Sequence, residues 1–243
     1  MSVLDHPIQF LCMRFPFFNN RLETLELTVA EFRAICATAE ILEQDSHGIK
    51  VLRLPNGDIL KIFRVKRLIS SARLYSYARR FCKNAERLRK RDIPTVTIKQ
   101  LYHLAGTSSS AVLYEPLPGQ TLRELARISK LDEPLLIKLG VFVAQLHDLG
   151  IYFRSLHLGN IVLTPGNHLG LIDIADLHLF SSRLTCRRRL RNFHHMWRIE
   201  SDLADLGDKL GFLRESYLRE SGITANCRSK IESFFNLYVA NTF

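Results

Sequence analysis

From residue 28 onward the chain carries two kinds of hydrophobic pattern in succession. Thr28-Val29-Ala30-Glu31 has the spacing of a capping box, and the residues after it predict a helix to about Ala39. Residues 41–64, ILEQDSHGIKVLRLPNGDILKIFR, alternate apolar and polar positions in short runs, with Asn56-Gly57 set between them as a hairpin turn. Strands are expected over about 39–44, 49–54 and 59–64. A long basic helix follows from about Ser71 to Arg91, closed by Ile93-Pro94. Residues 96–104 and 110–115 predict a further strand pair around AGTSSS, and EPLPG, 115–119, reads as a connector. Beyond it TLRELARI and EPLLIKLGVFVAQLHDLG place apolar residues at helical spacing. Two short strands, IVLT and LGLID, flank the turn Pro165-Gly166-Asn167, and helices are expected from about Leu184. Residues 1–27 show no clear period and read as an extension. The order predicts an α+β protein of two lobes. Residues 28–115 would form a small antiparallel sheet with one long helix, and residues 116–243 a mainly helical lobe.

Composition narrows the class. The 243 residues are 47% hydrophobic and 24% charged, enough for one large domain or two small lobes. No run of 18 uncharged apolar residues occurs, so a membrane-spanning helix is not expected. The opening MSVLDHPIQFLCMRFPFF is interrupted by Asp5, His6, Pro7 and Arg14 and does not read as a signal peptide. Cys12, Cys36, Cys82, Cys186 and Cys227 are odd in number and never form CxxC. Neither a disulfide framework nor a zinc site is expected, and a reducing cytoplasm fits best.

The net charge of +10 favours acidic partners such as nucleic acid, anionic headgroups or phosphorylated sugars. RLYSYARRFCKNAERLRKR, 73–91, reads as a solvated helix face. CRRRLRNFHHMWR, 186–198, is denser, and Arg187, Arg188, Arg189 and Arg191 are its expected contacts to an acidic acceptor or anionic membrane surface. No DNA-reading motif is present, so sequence-specific DNA binding is not expected.

The chemistry concentrates in a few polar positions. Phosphoryl transfer needs a cation on the nucleotide phosphates, an acid to fix it, metal ligands, and a group that orients the attacking hydroxyl. Lys61 in ILKIF can supply the first and Glu86 on the following helix the second. Asn160 and Asp173 offer hard oxygens for magnesium. Asp173 ends the apolar run LGLID, where an unpaired carboxylate is costly.

FRSLHLGNIVL resembles the HRDxxxxN or HGDLHxGN loop of the protein-kinase-like superfamily. Ser155 falls at its aspartate, five residues before Asn160, and Arg154 at its arginine or glycine. LIDIADL resembles the DFG segment, with Asp173 as the metal aspartate and Ile174-Ala175 in place of Phe-Gly. The likeness runs from about residue 39 to 200. LPGQTLRELA, AQLHDLGIYFRSLHLGN and GLIDIADL are similar to small bacterial lipopolysaccharide core (heptose or Kdo) kinases and their toluene tolerance relatives, more distantly to the KEOPS-complex small kinase. The resemblance implies a two-lobe kinase fold with ATP and magnesium between the lobes. Nucleotide contacts would come from Lys61, Glu86, Gly48, Glu115 and Leu117, metal contacts from Asn160 and Asp173, and catalytic contacts from Ser155, Arg154 and His157. The acceptor would be acidic, such as a lipopolysaccharide core sugar, and the protein cytoplasmic, peripheral at the inner membrane.

Three departures bear on activity. QDSHGIK has one glycine, Gly48, where the family often has several, and the interval from Lys61 to Glu86 is long. Ser155 cannot accept a proton at neutral pH as a carboxylate does, though it can orient a hydroxyl. His157 and Asp176 are the substitutes within reach, the first also readable as a packed loop residue and the second as a cap. Two readings stay open: an ATP-dependent phosphotransferase, and a pseudokinase that binds nucleotide or a partner without chemistry.

Overall fold

The computed structural model describes residues 23–64 and 77–240. The protein is α+β, and its chain divides into two compact units, the first reaching Ala85 and resuming over Val96–Pro116, the second comprising Glu86–Thr95 and the chain from Leu117.

The first unit is built on a six-stranded sheet of β1 (Thr24–Leu27), β2 (Glu40–Asp45), β3 (Gly48–Arg53), β4 (Ile59–Phe63), β5 (Thr97–Leu104) and β6 (Ser110–Glu115), in the order β1-β5-β6-β4-β3-β2. The sheet is mixed, not antiparallel throughout, because β1 lies parallel to β5 with Thr24 opposite Leu101. Helix α1 (Val29–Thr38) starts at Thr28, whose side chain and that of Glu31 close the capping box the spacing predicts. Strand alternation sends Leu52, Leu60 and Ile62 to one face, where they bury with Ile35 of α1, Tyr102 and Leu113. Helix α2 (Tyr77–Arg89) buries Ala78, Phe81 and Ala85 at helical spacing, and Phe81 meets Phe63 at 5.7 Å and Tyr114 at 5.3 Å between centroids. The boundary between the units falls inside α2. The stretch Ser71–Ser76 of the expected helix lies outside the described residues.

The second unit joins β7 (Gln120–Thr121), α3 (Leu122–Arg127), α4 (Glu133–Asp148), β8 (Ile151–Phe153), β9 (Ile161–Leu163), β10 (Leu169–Leu171), β11 (Leu177–Leu179), α5 (Cys186–Met196), α6 (Glu200–Leu206), α7 (Leu210–Glu220) and α8 (Ala225–Ala240). Strands β10, β9 and β7 form one small sheet, and β11 pairs with β8. Helix α4 runs against α7 so closely that a Cβ on Gly140 would collide with Ser216 and the Leu213 carbonyl. Phe193, Trp197, Tyr217 and Phe235 fill the interior with edge-to-face contacts. Cys186 and Cys227, 41 residues apart, form a disulfide joining the starts of α5 and α8. That pairing departs from the expectation of no disulfide framework: the fold brings the two Cα atoms to 5.6 Å, which sequence spacing does not reveal. Among the described residues no helix is long and apolar enough to cross a membrane.

Candidate functional site

The hairpin of β9 and β10 brings Asn160 and Asp173 to one end of a small sheet. Its register sets Ile161 opposite Leu171, so Asn160 just precedes one strand and Asp173 follows the other by two residues. The ladder continues one step as the Ile172 N–H donates to the Asn160 carbonyl at 3.1 Å. On the other edge of β10, Pro94 accepts from the Leu171 N–H at 2.9 Å and the Thr95 hydroxyl donates to the Leu171 carbonyl at 2.7 Å. Gly170 permits this approach, since a Cβ there would lie 2.5 Å from the Pro94 oxygen and 2.6 Å from Leu117. Asp173 is exposed and takes the left-handed conformation, φ 51° and ψ 46°, uncommon outside glycine and asparagine-like residues. Such a backbone turns the carboxylate away from the direction the strand would give it. It also marks the position as a site candidate.

Asn160 is buried, and its amide nitrogen is committed. It donates to the Ser155 carbonyl at 3.0 Å and lies 3.2 Å from His157 Nε2. That fixes the amide plane and turns its oxygen to the opposite side. Among the described residues no three His, Cys, Asp or Glu side chains gather as a metal site. A divalent ion would rest on two protein oxygens, Asn160 and Asp173. That suits magnesium, which usually keeps several waters and takes substrate phosphates as further ligands.

Residues 154–160 are held from both sides. Asn192 grips the strand before them, donating to the Phe153 carbonyl at 2.6 Å and accepting from the Phe153 N–H at 3.4 Å. Asp202, buried in α6, accepts from the Leu158 N–H at 2.9 Å and from Arg123 at 2.7 and 2.9 Å. Arg123 reaches this position because β7 pairs with β9 and Thr121 caps α3 with Glu124, leaving Arg123 in the first turn. Its guanidinium lies over Gly159, where a Cβ would come within 2.5 Å of Nη1. It also stands 3.3 Å from His157 Nδ1. Burial, then the Arg123 charge, lower the His157 pKa and so favour the neutral ring. The ring thus lies between two donors, Arg123 and Asn160, of which a neutral imidazole, with its one acceptor nitrogen, can match only one. Asp202 and Arg123 escape sequence reasoning because they are 79 residues apart; a carboxylate beside the apolar Leu203 and Leu206 was the available signal.

Ser155 meets Asp176. Strands β8 and β11 pair Phe153 with Leu177, so the next residues, Arg154-Ser155 and Ala175-Asp176, leave the ladder side by side. The Ser155 hydroxyl donates to Asp176 Oδ2 at 2.7 Å, and Asp176 Oδ1 is buried with no hydrogen-bond partner among the described residues. Nearby, His195 accepts or donates across 2.9 Å to the Tyr152 hydroxyl. Burial lowers its pKa, and the charges of Arg154, Arg198 and Arg191 lower it further, so a basic surface adjoins the loop.

The remaining expected residues belong to both units, and each is described within its own. Lys61 lies in β4, with Nζ 5.8 Å from the Phe63 ring centroid. Gly48 opens β3 at φ 109°, and Glu115 is exposed at the end of β6. Glu86 is exposed on α2, and its carboxylate pairs with Lys90 one turn further on at 2.6 Å. Leu117 is half-buried beside Gly170.

The arginine cluster needs correction. The period of α5 places Arg189 on one stripe with Asn192, Phe193 and Met196, all buried, while Arg187, Arg188 and Arg191 are exposed. Arg189 is 1% exposed and donates to the Leu184 carbonyl, the Tyr217 hydroxyl and Asp148. It is unavailable to a partner. Arg188 lies over the Phe180 ring at 3.9 Å. Compared with known proteins, the chain matches no protein-family model and no curated protein.

Proposed function

We propose that the protein is an ATP- and magnesium-dependent phosphotransferase acting on a hydroxyl of an acidic acceptor, such as a lipopolysaccharide core sugar at the inner membrane. The supporting observation is the β9–β10 hairpin, whose register sets Asn160, five residues after the Ser155 hydroxyl of a pinned loop, and Asp173 at one end of the ladder. Asn160 and Asp173 are the residues to hold magnesium, which when bound neutralises charge on the transferring phosphates. Lys61 keeps the phosphate-contacting role that the resemblance gives it. Arg154 and the exposed Arg187, Arg188 and Arg191 supply the positive charge an anionic acceptor requires.

Ser155 at the position of a carboxylate favours a second reading, a nucleotide-binding module without transfer. A thermal shift with Mg-ATP, run beside ADP release on the same sample, separates the two. A ligand bound only to the native state stabilises it by about 2.7 kcal/mol at 100 times its Kd. Millimolar Mg-ATP is expected to raise the melting temperature, and Asp173→Asn to remove the magnesium-dependent part. No shift in the wild type at those concentrations overturns nucleotide binding, and a shift without ADP release selects the binding module.

A further inference from the structure

We propose that Asp176 is the carboxylate of the transfer step and that Ser155 relays the acceptor's proton to it, an inference that rests on the phosphotransferase reading above. A serine hydroxyl has one proton and two lone pairs, and a carboxylate can only accept. At 2.7 Å the Ser155 proton is committed to Asp176 Oδ2. What half-buried Ser155 then presents outward is a pair of acceptor lone pairs, as a carboxylate at that position would. An incoming hydroxyl donates to Ser155 Oγ.

The second oxygen of Asp176 argues against a merely structural cap. Oδ1 is buried with no hydrogen-bond partner among the described residues. Leaving a buried acceptor unmatched costs about 1–3 kcal/mol, and such an orphan calls for an explanation. A capping aspartate would spend that oxygen on a backbone N–H. Here Oδ2 takes the Ser155 hydroxyl and no backbone N–H takes Oδ1 among the described residues. The geometry is also rigid. The Ser155 carbonyl takes the Asn160 amide, Phe153 is tied to Asn192, Leu158 is tied to Asp202, and Asp176 enters from the β8–β11 ladder.

The step balances without an oxidant. The acceptor oxygen bonds to the γ-phosphorus of ATP. The bond from that phosphorus to the β,γ-bridging oxygen breaks, and its electron pair leaves on ADP. The hydroxyl proton passes to Ser155 Oγ while the serine's own proton passes to Asp176 Oδ2, from which solvent removes it.

The test uses the full chain, with Mg-ATP as nucleotide and water or purified lipopolysaccharide as acceptor. Asp176→Asn is expected to cut ADP release by about 10² to 10⁴ while leaving the Mg-ATP thermal shift in place. Adding Ser155→Asp to Asp176→Asn is expected to restore most of the loss, because the carboxylate returns one residue nearer the acceptor. A readout without nucleotide checks the contact itself. Ser155→Asp alone sets two carboxylates together and is expected to lower the melting temperature of the free protein, and Asp176→Asn to relieve that penalty. ADP release by Asp176→Asn at the wild-type rate overturns the inference. So does a Ser155→Asp penalty unaffected by Asp176→Asn, or a wild type that binds Mg-ATP and releases no ADP. Absence of any Mg-ATP shift removes the phosphotransferase reading, and the relay with it.

Discussion

Two polar networks in the second unit hold opposite ends of one short loop, and they are built differently. The first is a directional chain. Arg189 donates to the Tyr217 hydroxyl at 3.0 Å, Tyr217 lies 2.9 Å from His147 Nδ1, and His147 Nε2 lies 3.3 Å from the Asn192 carbonyl oxygen, which ties to Phe153. Because Asn192 Oδ1 accepts, the imidazole proton sits on Nε2 and Nδ1 accepts from Tyr217. Every one of these four side chains is buried. The second network, Asp202, Arg123, His157 and Asn160, grips Leu158 and the Ser155 carbonyl, and Arg123 and His157 retain access to solvent. On the proposed function, the difference separates scaffold from machinery. A fully buried network can only set where the loop begins, whereas a half-buried one, ending on a candidate metal ligand, reaches the residues proposed for the chemistry.

Arg189→Met tests this most severely. Removing one partner of a buried ion pair strands Asp148 and Tyr217 and costs about 3–5 kcal/mol. The urea midpoint is expected to fall sharply, and a near-wild-type midpoint would refute the scaffold role. Asp202→Asn should cost less, about 1–3 kcal/mol for weakened bonds to a charged group. Its effect on ADP release, measured where the variant is still folded, is expected to exceed that of a scaffold variant of equal stability. Equal effects would erase the distinction.

The smallest effect concerns His147. Burial, then the Arg189 charge, push its pKa down to about 3 from an ordinary value of 6.5. The unfolded chain therefore binds the proton first, so this contribution is complete above pH 6.5 and is lost as pH falls from there toward 3. Between pH 6 and pH 5 the loss amounts to about 1 kcal/mol. Urea unfolding at those two pH values is expected to show it, and His147→Gln to flatten that component.

What the sequence revealed follows the range of the interactions. Thr28 and Glu31, the Asn56-Gly57 turn and the Pro165-Gly166-Asn167 turn act within a few residues, and the helix and hairpins they predict are present. Strands β8 and β11 have three residues each, too few to display a period, so the ladder that joins Ser155 to Asp176 was illegible. Strand β1 is ordered by pairing with β5 across more than seventy residues, not by its own pattern. Arg189 shared a run of arginines with its neighbours, and only helical phase distinguished it from them. The Arg123–Asp202 and Cys186–Cys227 pairs are properties of the fold alone.

The β9–β10 hairpin also determines where this chain tolerates a change in length. Asn160 and Asp173 meet because Ile161 faces Leu171, not because thirteen residues separate them. The turn, in which Thr164 and His168 bond each other and Asn167 is left-handed, lies at the far end of the ladder. An insertion there leaves the pairing untouched, as at exposed loop tips generally. One residue added within either strand reverses every side chain beyond it and carries the amide or the carboxylate to the opposite face.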